Sequence, residues 1–125
     1  MKTISAPDAP AAVGPYSHAV RSGSLLFCSG QIPIDPATGR IEAGDVEGQT
    51  RQVIRNIRAV LAAAGAGLEH VVKATVFLQD MADFPKVNPI YEAEFAGHKP
   101  ARSTVQVAGL PLAARIEIEV VAELE

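Results

Sequence analysis

The chain has 125 residues, enough for one domain with a real hydrophobic core, and no linker, low-complexity run or internal repeat divides it. Its net charge is −3 with no Lys/Arg cluster to follow a phosphate backbone, which argues against nucleic acid and anionic membranes as partners. Hydrophobic residues make up 48% and charged residues 20%, so an apolar surface covered by another subunit is expected.

Met1 to Ala12 carries Lys2 and Asp8 and has no apolar centre, so it does not read as a signal peptide. No stretch approaches the length of a membrane span. A single cysteine, Cys28, excludes an internal disulfide. A single domain over 1–125 in the cytoplasm is expected.

In chain order, residues 1–18 read as a short strand or arm followed by a Pro/Gly turn region. Ala19–Ser22 and Leu25–Ser29, separated by Gly23-Ser24, read as a hairpin. Gly30 to Gly44 is loop-rich, with a turn at Asp35–Gly39. Asp45 to Ala64 is the clearest helix. Val46, Val53, Ile57, Val60, Leu61 and Ala64 recur at helical spacing, Gln52, Arg55 and Arg58 take the other side, and Asp45 is placed to cap it. Gly65-Ala66-Gly67 ends that helix. Val71–Leu78 is a β-branched strand, and Ala82 to Phe95 a second helix interrupted in pattern by Pro89. Ala101–Ala108 and Arg115–Leu124 are the last two strands.

This order predicts an α+β fold in which two helices cover one face of a sheet. In the first of these three strands Val72, Ala74, Val76 and Leu78 share a face, and Lys73, Thr75 and Phe77 the other. In the next, Ser103, Val105 and Val107 alternate with Arg102, Thr104 and Gln106. In the last, Ile116, Ile118, Val120 and Ala122 alternate with Arg115, Glu117, Glu119 and Val121. One face is thus a helix-packed core. The other is polar with interspersed apolar residues, as a solvated face or a subunit interface would be.

Three segments are locally costly and point to a site rather than to a core: Gly14-Pro15-Tyr16, Ser29-Gly30 after an apolar strand, and Arg102 inside a strand. Arg102 is a permanently charged fork of donors that calls for an anion. That anion is either Glu117 or Glu119 as a cross-strand ion pair, the more ordinary outcome, or a ligand carboxylate held bidentately. A carboxylate between isoleucines and valines, as Glu117 and Glu119 are, has a raised pKa when partly buried and then passes protons near neutrality; a solvated strand face is the alternative. If the last two strands form a simple hairpin, Arg102 falls opposite about Val121, and Glu117 lies roughly 13 Å away at strand rise. A ligand or a neighbouring subunit would then have to join them. Tyr16 is either a wall for a small planar ligand or a core cap. Ser29 and Gly30 either expose a backbone N–H or simply end a strand, and Asn88 either caps a helix or reaches a site.

Other chemistries fail on spacing. His18, His70 and His98 are isolated and form no zinc pattern. No Gly-x-Ser-x-Gly elbow and no phosphate-binding glycine loop is present. Cys28, in an apolar strand, reads as a buried inert thiol.

Five ordered blocks together resemble the Rid (YjgF) family of small enamine/imine deaminases over nearly the whole chain. They are Asp8–Ser17 (DAPAAVGPYS), Ser29–Pro33 (SGQIP), Val72–Leu78 (VKATVFL), Pro100–Ser103 (PARS) and Ile116–Glu119 (IEIE). The resemblance implies a chorismate-mutase-like α+β fold and a homotrimer with sites in the clefts between subunits. It implies hydrolysis, without a cofactor or metal, of reactive imino acids such as 2-iminopropanoate, the tautomer of 2-aminoacrylate, to a 2-keto acid and ammonia. By position, Arg102 matches the arginine that binds the substrate carboxylate and Glu117 the acid that handles water. Tyr16, Ser29, Gly30, Asn88 and Thr104 match other residues of the cleft. The chain departs from the family pattern in three places. Thr104 stands where many members have cysteine, the Phe95–Pro100 connection is shorter than in many relatives, and His18 replaces a commoner glutamine. Against this reading stand a non-catalytic module of the same fold that binds small carboxylates or a partner protein, and an enamine deaminase of one dedicated pathway. Nuclease activity, also reported in the family, fits poorly with the acidic charge and the absence of tryptophan.

Overall fold

A computed structural model describes all of residues 1–125. Six strands form one sheet in the order β1 (Lys2–Ile4), β2 (Ala19–Ser22), β3 (Leu25–Cys28), β8 (Ile116–Glu123), β6 (Val71–Leu78) and β7 (Ala101–Gln106). Every neighbouring pair is antiparallel except β6 and β7. The loop-rich 30–44 segment contains a small separate hairpin, β4 (Ile34–Asp35) with β5 (Arg40–Ile41).

Helix α1 (Val46–Ala63) follows its hydrophobic periodicity, with Val46, Val53, Ile54, Ile57, Val60 and Leu61 buried. The Asp45 side chain accepts from Gly48 N–H and satisfies one of the unpaired donors of its first turn. The second helix begins later than the sequence suggests. A 3-10 turn occupies Met81–Asp83, and α2 runs Phe84–Phe95 with Pro89 inside it. Both helices pack on the same face of the sheet, over Ala74, Val76, Leu78, Ile116, Ile118, Val120 and Ala122. No helix is long and apolar enough to cross a membrane.

Two expectations are corrected. Val72 does not join the core face; it is 43% exposed, and Val71 is buried instead. A register shift between Val71 and Lys73 against β8 inserts the extra residue and reverses the alternation at the start of β6. Nor do the last two strands form a hairpin. β6 lies between β7 and β8, and β7 runs parallel to β6 because α2 carries the chain back across the sheet before β7 begins.

The opposite sheet face has no helix. Phe27, paired with Val121, is 48% exposed there and Val105 is 42% exposed; Thr75, Phe77, Glu117 and Glu119 lie among them. In β6 and β8 the expected mixture of apolar and polar groups is on this open surface; in β7 the faces are reversed, with Val105 on the open surface and Arg102 and Thr104 on the helix side, because β7 takes its register from β6.

Candidate active site

The register places Arg102. Ala74 on β6 pairs with Arg102 on one side and with Val120 on the other, and directly paired residues share a face. Arg102 and Thr104 thus point to the helix side, at the sheet's edge strand, beneath α2. The Arg102 guanidinium carbon lies 4.8 Å from the centre of the Tyr91 ring and 5.3 Å from that of Phe84. Its Nη1 donates to Asn88 Oδ1 at 2.8 Å. Neither Glu117 nor Glu119 pairs with it, and Arg102 forms no ion pair in the chain. The structural cross-strand pair is therefore ruled out. What remains is a permanent cation beside two aromatic rings and bonded to one amide, with other donors uncommitted. Beside it, between the C-terminal half of α2 and the start of β7, opens a groove of about 830 Å³ with Asn88, Tyr91, His98 and Lys99 on its walls.

Phe84 and Tyr91 were missed from the sequence. Both belong to α2, seven residues apart, and only the return of β7 beneath that helix gives them a common target in Arg102. The strand–helix–strand spacing from Val71 to Gln106 was the available signal. Burial raises the Tyr91 hydroxyl above its usual pKa, opposed by the Arg102 charge. Tyr91 Oη and Thr104 Oγ1 are both buried without a hydrogen-bond partner.

Glu117 is on the other face. Phe77 pairs with both Val105 and Glu117, and Phe77 is an odd number of residues from Ala74. The half-buried Glu117 carboxyl has a raised pKa, first from burial and then from the Glu119 charge two residues on. It lies against Gly30. A Cβ on Gly30 would overlap Glu117 Oε2 and come within 2.9 Å of Glu117 Cδ. Gln31 and Ile118 exchange backbone bonds of 2.9 and 3.1 Å, which hold the Gly30 segment beside β8. Asn56, buried in α1, donates to Ile32 O and Ile34 O and fixes the segment from the other side.

The Ser29 N–H is not free; it bonds His18 O at 2.9 Å, and Ser29 Oγ donates to Ser17 O at 2.6 Å. The uncommitted backbone donor is Gly30 N–H, which makes no hydrogen bond in the chain. Tyr16 sits on the Ser17 side, 49% exposed, with its hydroxyl accepting from Val13 N–H at 3.3 Å. Cys28 is buried, and its thiol is pushed up to about 12, so it stays protonated and inert. No group of three or more metal-ligating side chains gathers anywhere in the chain.

The predicted residues therefore fall into two clusters. Arg102, Asn88 and Thr104 gather under α2. Glu117 and Gly30 meet beside β8, with Ser29 next to Gly30 and Tyr16 linked to this end only through the Ser29 Oγ to Ser17 O bond. The sheet separates them, so within one copy of the chain no small ligand reaches both Arg102 and Glu117.

The family model described as Endoribonuclease L-PSP matches residues 6–124. A RutC family protein from Pyrococcus horikoshii is 52% identical over 118 residues, 94% of each chain. The 2-iminobutanoate/2-iminopropanoate deaminase of Salmonella typhimurium is 50% identical over 124 residues, covering 97% of this chain and 96% of that protein. The crystal structure of the YjgF gene product from E. coli superposes with a TM-score of 0.95 at 46% identity, over 100% of both chains.

Proposed function

The chain belongs to the YjgF/RidA family, the one described by the endoribonuclease L-PSP model, and from that premise we propose that it is an enamine/imine deaminase. Its substrates are 2-imino acids such as 2-iminopropanoate, and its products a 2-keto acid and ammonia. We propose further that residues 1–125 form one domain of chorismate-mutase-like fold. Three copies assemble so that the Arg102 cluster of one faces the Glu117 cluster of the next.

One observation carries this reading: Arg102 and Glu117 occupy opposite faces of one sheet, each with unused binding capacity. When the uncovered face of one copy, with its exposed Phe27 and Val105, packs against the α2–β7 edge of the next, the two clusters come together. The chemistry then divides naturally. Arg102 holds the substrate carboxylate and draws electron density from the adjacent C=N carbon. Gly30 N–H and Ser29 border the reacting end, Asn88 keeps the guanidinium in place, Thr104 backs it, and Tyr16 walls the planar imine. Glu117, whose carboxyl pKa is raised by burial and by the Glu119 charge, takes a proton from water as its oxygen bonds to the imine carbon. It returns that proton to nitrogen as the C=N double bond opens to a carbinolamine; the hydroxyl proton then passes through Glu117 to nitrogen, the C–N bond breaks as C=O forms, and ammonia leaves the 2-keto acid. No cofactor enters this balance. A net charge of −3 without a basic stripe supports a small anionic substrate rather than RNA, despite the word endoribonuclease in the family description.

The test is a coupled assay in which an amino-acid oxidase generates imines in situ and 2-keto acid release is followed. Wild type is expected to accelerate release, with Arg102→Ala and Glu117→Gln each nearly inactive. Co-refolding the two variants in equal amounts should restore about a quarter of wild-type activity, because Arg102 from one copy then meets Glu117 from another at that frequency. No acceleration by wild type would overturn the deaminase reading. Two inactive single variants that stay inactive on mixing would overturn the shared site.

A further inference from the structure

His18 is 7% exposed, and both its ring nitrogens are engaged. Nδ1 lies 2.9 Å from Ala6 N, and Nε2 lies 2.7 Å from Pro10 O. A peptide N–H can only donate and a carbonyl can only accept. Nδ1 must therefore be bare and Nε2 must carry the hydrogen, so this site accommodates one tautomer of the neutral ring. A proton added to Nδ1 would point at the Ala6 N–H, donor against donor, in a buried place.

These contacts close a loop. Between Ile4 and Ala19 there is no helix or strand, and the His18 ring ties the two ends across twelve positions. Tyr16 rides on this loop, after Gly14 with φ of 122°, and its hydroxyl is met by Val13 N–H from the same loop. The main chain at the loop's end also registers Ser29, through Ser29 N to His18 O and Ser29 Oγ to Ser17 O.

The neighbouring titratable groups offer the ring no counter-charge. Asp8 is the only charged side chain between Ser5 and Ser17, and it is exposed. Asp35, next to the Pro36 that lines the same hollow as Tyr16 and His18, accepts from Ala37 N–H. On β1, Lys2 is exposed; further along β2, Arg21 turns to Gly23 O and Glu125 O. On β3, Cys28 stays protonated, its pKa about 12. His18 itself makes no ion pair.

We infer that His18 is a positioning residue: its neutral imidazole closes the Ala6–His18 loop and so sets Tyr16, and acid opens the loop by charging the ring. Its consequence for catalysis rests on the reading of Tyr16 as a wall of the imine site. Below the pH at which the ring charges, the protein retains Arg102 and Glu117 but loses the wall, so KM rises more than kcat falls.

His18→Gln decides the matter. A carboxamide offers one acceptor and one donor at a spacing close to that of the two ring nitrogens, and it does not titrate. NMR of wild type and variant on acidification from about pH 8 reads the loop without any assay. In wild type the hydrogen-exchange protection of the Ala6 amide should fall on acidification, and the Tyr16 ring resonances should move with the same midpoint. Both should stay constant in His18→Gln. His18→Ala should show the open loop at every pH. In the imine assay the ratio of His18→Gln to wild-type kcat/KM should rise several-fold towards acid, and taking a ratio cancels the titration of Glu117 and of the substrate. Constant Ala6 protection in wild type, Tyr16 resonances that ignore it, or a flat ratio in an active enzyme would each overturn the inference. An enzyme inactive on every imine would sink the deaminase reading, while the Ala6 and Tyr16 signals would still judge the role of His18.

Discussion

On the α2–β7 side, Arg102 is held by side chains: an amide at 2.8 Å and two rings at 4.8 and 5.3 Å. On the β3–β8 side, Glu117 is held by main chain, pressed against the bare Cα of Gly30, which the Gln31–Ile118 bonds keep in place. The difference has a consequence for mutation. A cation held by several soft contacts loses them one at a time, and its hold weakens by degrees. A carboxyl set by backbone contact has no such gradation, since one added methyl group displaces it. The Arg102 side should thus respond to substitution gradually and the Glu117 side abruptly.

The largest effect is expected from Glu117→Gln, which removes proton transfer and should lower kcat about 10²- to 10⁴-fold in the coupled assay. The same variant should be more stable than wild type at neutral pH. The raised pKa means that the fold favours the protonated carboxyl. The stability tied to that proton is fully present at low pH and is lost as pH rises through the folded-state pKa, whereas glutamine stays neutral throughout. A melting temperature that drops at pH 7 would contradict this.

Gly30→Ala comes next. Its Cβ must displace the Glu117 carboxyl, and a misplacement of about 1 Å can cost roughly 10²-fold in kcat. A kcat within a few-fold of wild type would show that Glu117 is not set by this contact.

Arg102→Lys keeps the charge but loses the fork and the stacking. A loss of roughly 10- to 100-fold in kcat/KM, mostly through KM, is expected from a charged hydrogen bond worth about 1.5–3 kcal/mol. A loss well beyond about 100-fold, carried by kcat rather than KM, would erase the contrast between the two sides.

Tyr91→Phe is a smaller perturbation. It keeps the ring over Arg102 and removes a buried hydroxyl that has no partner in the chain. Stability should rise by about 1 kcal/mol with activity little changed, read from denaturant unfolding. A fall in stability would mean that the assembled protein partners this hydroxyl.

The finest effect is a shift in pH profile. Glu119 helps to raise the Glu117 pKa, so Glu119→Gln should move the acid limb of kcat/KM to lower pH without lowering the plateau. An unmoved limb would assign the shift to burial alone.

The amino-acid sequence determined much of this by itself, because much of it is local. Helix α1 and its Asp45 cap follow from periodicity and side-chain chemistry within a few residues. The glycine-punctuated turn into β3 and the β-branched run of β6 are equally local. The ordered blocks around Tyr16, Ser29-Gly30, Arg102 and Glu117 were also legible, and they identified the family before any geometry was known.

Strand neighbours were decided by tertiary structure. The alternation in Arg102–Gln106 is the same whether its neighbour is β8 antiparallel or β6 parallel; only the packing of α2 on α1 and the sheet selects β6. That choice put Arg102 on the helix side, beside Phe84 and Tyr91 and away from Glu117, so the hairpin distance drawn from the sequence had no counterpart. The shifted register at Val71–Lys73 is likewise invisible in a run of valines, since either valine can face the core until β8 sets the pairing. The role of His18 needed the fold as well. Its two partners are twelve and eight positions away along the chain, and a single histidine in the sequence carries no mark of which nitrogen is bonded to what.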